Sequence, residues 1–227
     1  MLYLLLIMLF VGLIVGPSYW VKQVMEKYSQ PSDRYPQTGA EFARRLLDQE
    51  NLHHIKVELT ELGDHYDPIS KAIRLSSEKF NNGSLTAITV AAHEVGHAIQ
   101  DHNDYLPLKM RTRLVELVLP AQKLGAAILM LAPVLVIFTR SPMIGGLMTA
   151  GGFLSLGTSA LVHLITLPME LNASFSRALP MLEKGKYLKE GDELHAHKLL
   201  TAAAWTYVSA SLMTLLNIAR WWAILRR

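Results

Sequence analysis

The apolar residues of this chain are gathered into long separate runs, and that segregation limits the folds open to it more than any motif does. Residues 1–21 carry no charged side chain, residues 22–113 are mixed in character, and from residue 114 onward apolar stretches return. A helix needs about 20 apolar residues to cross the hydrocarbon core of a bilayer. With 51% hydrophobic and 18% charged residues in 227 positions, disorder is excluded and an ordinary soluble domain fits poorly. The pattern predicts an α-helical membrane protein with about four transmembrane helices and a small α+β soluble insertion.

Residues 1–21 read as a transmembrane anchor that ends on Tyr19, Trp20 and Lys22, an aromatic and cationic interface belt. They lack a basic leading region and a small-residue cleavage site, so an uncleaved anchor is expected rather than a signal peptide. Residues 114–167 read as a transmembrane hairpin, because only Thr139–Pro142 separate its two apolar halves. The second half is uncharged, and Gly145, Gly146, Gly151, Gly152 and Gly157 suit close helix packing in lipid. Residues 199–227 read as a last transmembrane helix, Leu199–Ala219, with a basic tail carrying Arg220, Arg226 and Arg227.

Four spans place residues 22–113 and 168–198 on one side of the membrane. That side holds most of the lysines and arginines near the spans, which predicts a multi-pass membrane protein with its soluble parts in the cytoplasm. The net charge of +3 is spread around the spans as a topology signal, so no nucleic-acid partner is expected. The expected surroundings are membrane lipid, and the glycine-rich spans permit a homo-oligomer. The chain has no cysteine. That rules out disulfides, a thiol nucleophile and any cysteine-ligated metal site.

Within the soluble region, Gly39–Gln49 has the period of an amphipathic helix. Ile55–Leu62 and Lys71–Ser76 read as strands, the latter as a candidate edge strand for an extended substrate, and Gly63–Ser70 reads as turn. Ser84 is a plausible cap for a helix over Leu85–Gln100.

That helix carries His93-Glu94-Val95-Gly96-His97. Residues four apart share a helix face, so His93 and His97 can aim two imidazoles at one metal ion while Glu94 stands beside it. Neutral imidazoles bind zinc without cancelling its charge, and a carboxylate can then take a proton from water activated there. This is the pattern of zinc hydrolases. Gly96 is costly in mid-helix by about 1 kcal/mol, which implies something packed closely against it. The extended pattern with Gly at position 100 and His at position 103 is absent, since these are Gln100 and Asn103. Glu170 is the strongest candidate for a third ligand. It follows the third span, on the side assigned to the soluble domain, and a carboxylate there needs a partner. His195 and His197 remain open as alternatives. Asn172, Ser174 and Arg177 follow Glu170 in a run that continues helically, where they could orient ligands or substrate.

The chain resembles the YugP-like family of bacterial membrane-bound neutral zinc metallopeptidases, zincins of the gluzincin type. The resemblance spans nearly the whole chain and rests on AAHEVGHAIQ at 91–100, DHYDP at 64–68, KAIRLS at 71–76, TLPMELNASFSRA at 166–178 and AAAWTYVSA at 202–210. It implies a zincin-like catalytic domain over 22–113 and a membrane-proximal segment over 168–198 that carries the third ligand. It also implies one zinc ion held by His93, His97 and Glu170, with Glu94 as catalytic base. The family often carries Asp where this chain has Asn172. The expected activity is hydrolysis of peptide bonds in membrane-proximal protein substrates, with His65, Tyr66 or Arg177 as candidates to stabilise the oxyanion. The alternative is a catalytically silent membrane adaptor that keeps the fold.

Overall fold

The computed structural model describes residues 2–206 and 208. Most of the expected last span, Leu199–Ala219, and the basic tail after it lie outside those residues. The described residues divide into two compact units: residues 2–16 and 110–167 belong to one, and residues 17–109 and 168–206 to the other.

In the first unit, α5 (Leu106–Thr139) and α6 (Pro142–Leu171) contribute their residues from Met110 to Leu167. The two helices touch through glycine. A Cβ on Gly152 would overlap the Leu129 side chain, and one on Gly145 would overlap Val136. Small residues of this kind let helices approach where no hydrophobic drive between them exists. Among the described residues, one helical stretch, Leu106–Ala132, is long and apolar enough to cross a membrane. Only 11% of its apolar window is buried, so it is not a core helix hidden by the rest of the protein.

The second unit is built around α4 (Leu85–His102), which is buried continuously from Leu85 to Gln100. A helix hidden on all sides needs partners all round. The end of α1 (Leu2–Lys27) meets it where Thr86 Oγ1 donates to Met25 O at 2.9 Å. On another side lies α2 (Gly39–Gln49), with Phe42, Ala43, Leu46 and Leu47 turned inward. Thr38 caps α2 in a reciprocal box. Its hydroxyl accepts from Glu41 N at 3.3 Å, and its own N–H donates to Glu41 Oε2 at 2.9 Å. Ser84 does similar work for α4, accepting from Ala87 N at 3.1 Å.

The strands are β1 (Lys56–Thr60), β2 (His65–Asp67) and β3 (Ala72–Ser76), in the order β1-β3-β2. β1 runs parallel to β3 with Lys56 opposite Ala72, and β2 runs antiparallel with Tyr66 opposite Ile73. The segment 71–76 is therefore the central strand rather than the expected edge, with Ile73 and Leu75 fully buried. The error came from β2: three residues inside a turn-rich stretch offer too few alternations to read as a strand. Arg74 ties the sheet across its width, pairing with Asp67 at 2.8 Å and Glu58 at 3.2 Å.

After α3 (Ser77–Asn81) and α4, the unit is completed from the far end of the sequence. The last residues of α6 lead into a π-helix, Asn172–Ala178, then α7 (Leu179–Lys184) and a helix over residues 193–206. The π-helix packs on α4 at Gly96, where an added Cβ would stand 2.8 Å from Ala173 O. A buried carboxylate, Asp192, fastens the N-terminal loop. It accepts from Arg34 Nε and Nη2 at 2.7 and 2.8 Å and from the Tyr35 hydroxyl at 2.5 Å. Burial pushes its pKa upward, but these donors prevail and hold it below the usual range.

Two stability measurements follow from this packing. Asp192→Asn should lose about 1.5–3 kcal/mol at neutral pH. Because the folded-state pKa is depressed, this contribution is present above the unfolded value of about 3.9 and disappears as pH falls through the folded one. The gap in Tm between variant and wild type should therefore close in acid; a gap independent of pH would refute the charge-based account. Gly96→Ala should lower stability by up to about 2 kcal/mol, because opening the Ala173 contact outweighs the gain of about 1 kcal/mol in helix propensity. An unchanged or raised Tm would show that the two helices part freely.

Candidate metal centre

His93 and His97 are one turn apart on α4, and the last turn of α6 brings Glu170 against them. His97 Nε2 lies 3.2 Å from His93 Nε2 and 3.1 Å from Glu170 Oε2, and His93 Nε2 lies 3.2 Å from the same oxygen. Among the described residues, this is the one His, Asp or Glu cluster able to hold a metal ion, its ligand atoms all within 4.8 Å of one another. All three residues are buried.

The outer ring nitrogens are occupied. His97 Nδ1 faces Gln100 Oε1 at 3.0 Å, and His93 Nδ1 faces Ser174 Oγ at 3.1 Å. With hydrogens on both Nδ1 atoms, both Nε2 atoms present bare lone pairs. These converge with a carboxylate oxygen on one point, an arrangement that repels itself until positive charge sits inside it. The other oxygen, Glu170 Oε1, is buried and has no hydrogen-bond partner, so it is free to contribute a further metal bond. The donor set of two imidazoles and one carboxylate matches zinc.

The electrostatics agree. Burial opposes a charged His97, yet the Glu170 carboxylate overcomes it and drives the imidazole pKa up to about 9. Burial likewise opposes the Glu170 anion, but His97 and His93 hold its carboxyl well below the usual range. Both shifts have one cause: the buried carboxylate favours positive charge at the centre of the cluster. Glu94, next to His93 on α4, is 6% exposed. Burial pushes its pKa up; His93 and His97 act against this, while Glu170 and Asp64 reinforce it.

The other residues singled out by sequence occupy several places. Asn172 Oδ1 accepts from Gln100 Nε2 at 2.9 Å and from Arg177 Nε at 3.2 Å, which puts both residues behind the histidines. Tyr66 donates its hydroxyl to Asp101 at 2.6 Å, and that carboxylate also pairs with Lys71. His65 lies on β2 with Nδ1 2.8 Å from Gly63 O. His195 sits 3.6 Å from Asp192 and stacks on Tyr28, and His197 stacks on Phe175; neither joins the cluster. Gln100 was not singled out by sequence, although its position three residues after His97 puts it on the same helix face. A groove of about 500 Å³ lined by Ile99, Arg177, Met181 and Tyr187 opens elsewhere on α4 and includes none of the three clustered residues.

Comparison with known proteins agrees with this chemistry. A family model described as "Putative neutral zinc metallopeptidase" matches residues 3–226. The chain is 37% identical over 223 residues to the "Putative membrane protease YugP" of Bacillus subtilis (strain 168), covering 94% of this chain and 95% of that protein. No solved structure matches. A match over nearly the full length, together with a donor set suited to zinc, leads to one conclusion: the chain belongs to this family of neutral zinc metallopeptidases.

Proposed function

We propose that this protein is a membrane-embedded zinc endopeptidase that cuts protein substrates close to the bilayer. The observation that carries the reading is the convergence of His93 Nε2, His97 Nε2 and Glu170 Oε2 within 4.8 Å, with Glu94 adjoining on the same buried helix. In this reading His93, His97 and Glu170 hold one zinc ion, which supplies Lewis acidity at the scissile carbonyl. Glu94 is the general base. It takes a proton from the attacking water as the water oxygen bonds to the carbonyl carbon, and delivers that proton to the amine as the C–N bond breaks. Its place beside His93 on the same buried helix suits a group that must hold a proton between those two steps.

The edge strand packed on α4 is β2, so we assign it the part of aligning an extended peptide. His65 lies on that strand. Tyr66 and Arg177 commit a donor to Asp101 and Asn172 respectively, which favours supporting roles for them over direct contact with the oxyanion. The exposed apolar helix Leu106–Ala132 and the name of the Bacillus relative support a membrane setting. The four-span topology, with residues 22–113 and 168–198 together in the cytoplasm, is part of the proposal. It rests on the apolar runs and on the distribution of lysine and arginine.

Two experiments decide between outcomes. Glu170→Ala should lose zinc from the detergent-purified protein, whereas Glu94→Gln should keep it and lose cleavage by a factor of about 10²–10⁴. Equal zinc in wild type and Glu170→Ala would remove Glu170 as a ligand, and unaltered cleavage or phenotype with Glu94→Gln would favour the silent adaptor. For topology, the absence of cysteine makes single-cysteine labelling clean. In intact cells an impermeant thiol reagent should label Arg140→Cys and spare Glu61→Cys; the reverse pattern would place the catalytic domain outside.

A further inference from the structure

Two neutral imidazoles can bind one metal through Nε2 only if both carry their hydrogen on Nδ1. Something must impose that tautomer, and the partners of the two rings differ in their ability to do so. Ser174 Oγ, 3.1 Å from His93 Nδ1, is a hydroxyl that rotates and can donate or accept, so it accommodates either tautomer. Gln100 is different. Its Oε1 faces His97 Nδ1 at 3.0 Å, while its Nε2 is shared between Met169 O and Asn172 Oδ1, each at 2.9 Å.

A backbone carbonyl can only accept, so Met169 O requires the NH₂ end of the Gln100 amide to face it. Asn172 is oriented in the same sense. Arg177 Nε, which can only donate, meets Asn172 Oδ1 at 3.2 Å. The direction of every bond in the series is thereby determined: Arg177 donates to Asn172, Gln100 donates to Asn172 and Met169, and His97 Nδ1–H donates to Gln100. Gln100 is fully buried, so water does not offer an alternative set of partners. Were the amide to turn over, its NH₂ would face His97 Nδ1, move the hydrogen to Nε2 and block the lone pair that the metal needs.

We infer that Gln100, locked by Met169 O and by the Asn172–Arg177 pair, is the positioning residue that holds His97 in its metal-binding tautomer. The same amide fixes the carbonyl just before Glu170 in sequence, so one side chain aligns ligands from both halves of the site. The inference rests on the zinc-site reading above and names the residues that prepare the site rather than those that react.

The test is zinc affinity, measured by competition with a chromogenic chelator in detergent-purified, metal-depleted protein. Cobalt absorption gives a second readout of ligand geometry, and circular dichroism checks each variant's fold. Gln100→Leu should weaken zinc binding about 10–100-fold. Asn172→Leu should also weaken it, by less, because Met169 O alone is then left to hold the Gln100 amide. Asn172→Asp should stay within about threefold of wild type, because a carboxylate accepts from both Gln100 and Arg177 as the amide oxygen did. This recovery separates orientation from mere packing, since Leu and Asp both replace Asn172 at similar size. The inference is overturned if Asn172→Leu or Gln100→Leu, correctly folded, binds zinc as wild type does. It is also overturned if Asn172→Asp is as weak as Asn172→Leu. Wild-type protein that takes up no zinc would instead refute the underlying zinc-site reading.

Discussion

Where α4 meets the π-helix, Ala173 O lies against the bare Cα of Gly96, at a spacing that a single Cβ would spoil. This contact sets the distance between two segments that are far apart in sequence. His93 and His97 come from one of them, and Glu170 stands just before the other, in the last turn of α6. A carboxylate on a helix held one side-chain layer farther away would not reach the imidazoles at 3.1 and 3.2 Å. The glycine that weakens α4 as a helix is what allows His93, His97 and Glu170 to converge, so a local cost in stability is tied to the geometry of the cluster.

The helical wind changes just after Glu170. Residues 172–178 form a π-helix, whose wider turn places residues five apart beside one another. Asn172 and Arg177 are five apart and share a hydrogen bond; in an α-helix they would diverge around the axis. The widened turn also carries Ser174 to His93, while Asn172 reaches Gln100. Departures of this kind from α-geometry occur often at functional sites. Here both imidazoles face side-chain partners, His93 against Ser174 and His97 against Gln100.

The buried charges illustrate the difference between a structural and a chemical use of low dielectric. Asp192 is compensated on the spot by Arg34 and Tyr35, and the result is a fastening between distant parts of the chain. The cluster of His93, His97 and Glu170 is not compensated in that way. Its lone pairs face each other, one carboxylate oxygen has no hydrogen-bond partner, and the electrostatic balance calls for a cation at the centre. Burial raises the energy of both arrangements. Only the second leaves that energy available to bind a metal.

Much of this was legible in the chain. The spacing of His93, Glu94 and His97 requires only helical periodicity, which is local, and α2, β1 and α4 follow from capping and from apolar spacing over a few residues. Position and charge pointed to Glu170, because a carboxylate beside an apolar span needs a partner. Other features depend on contacts between remote segments. β2 was missed because three residues carry no periodic signal, and its absence turned the central strand into an expected edge. The helical run after Glu170 was expected, but its π-wind was not, since winding is decided by what α4 offers to it. Gln100 had the right spacing, yet its role depends on Met169 and Asn172, some seventy residues away. The sequence by itself determined the chemistry on each helix, because periodicity and residue type are local properties. Tertiary structure alone decided which donor faces which acceptor, because hydrogen-bond direction in a buried site is set by atoms that only folding brings together.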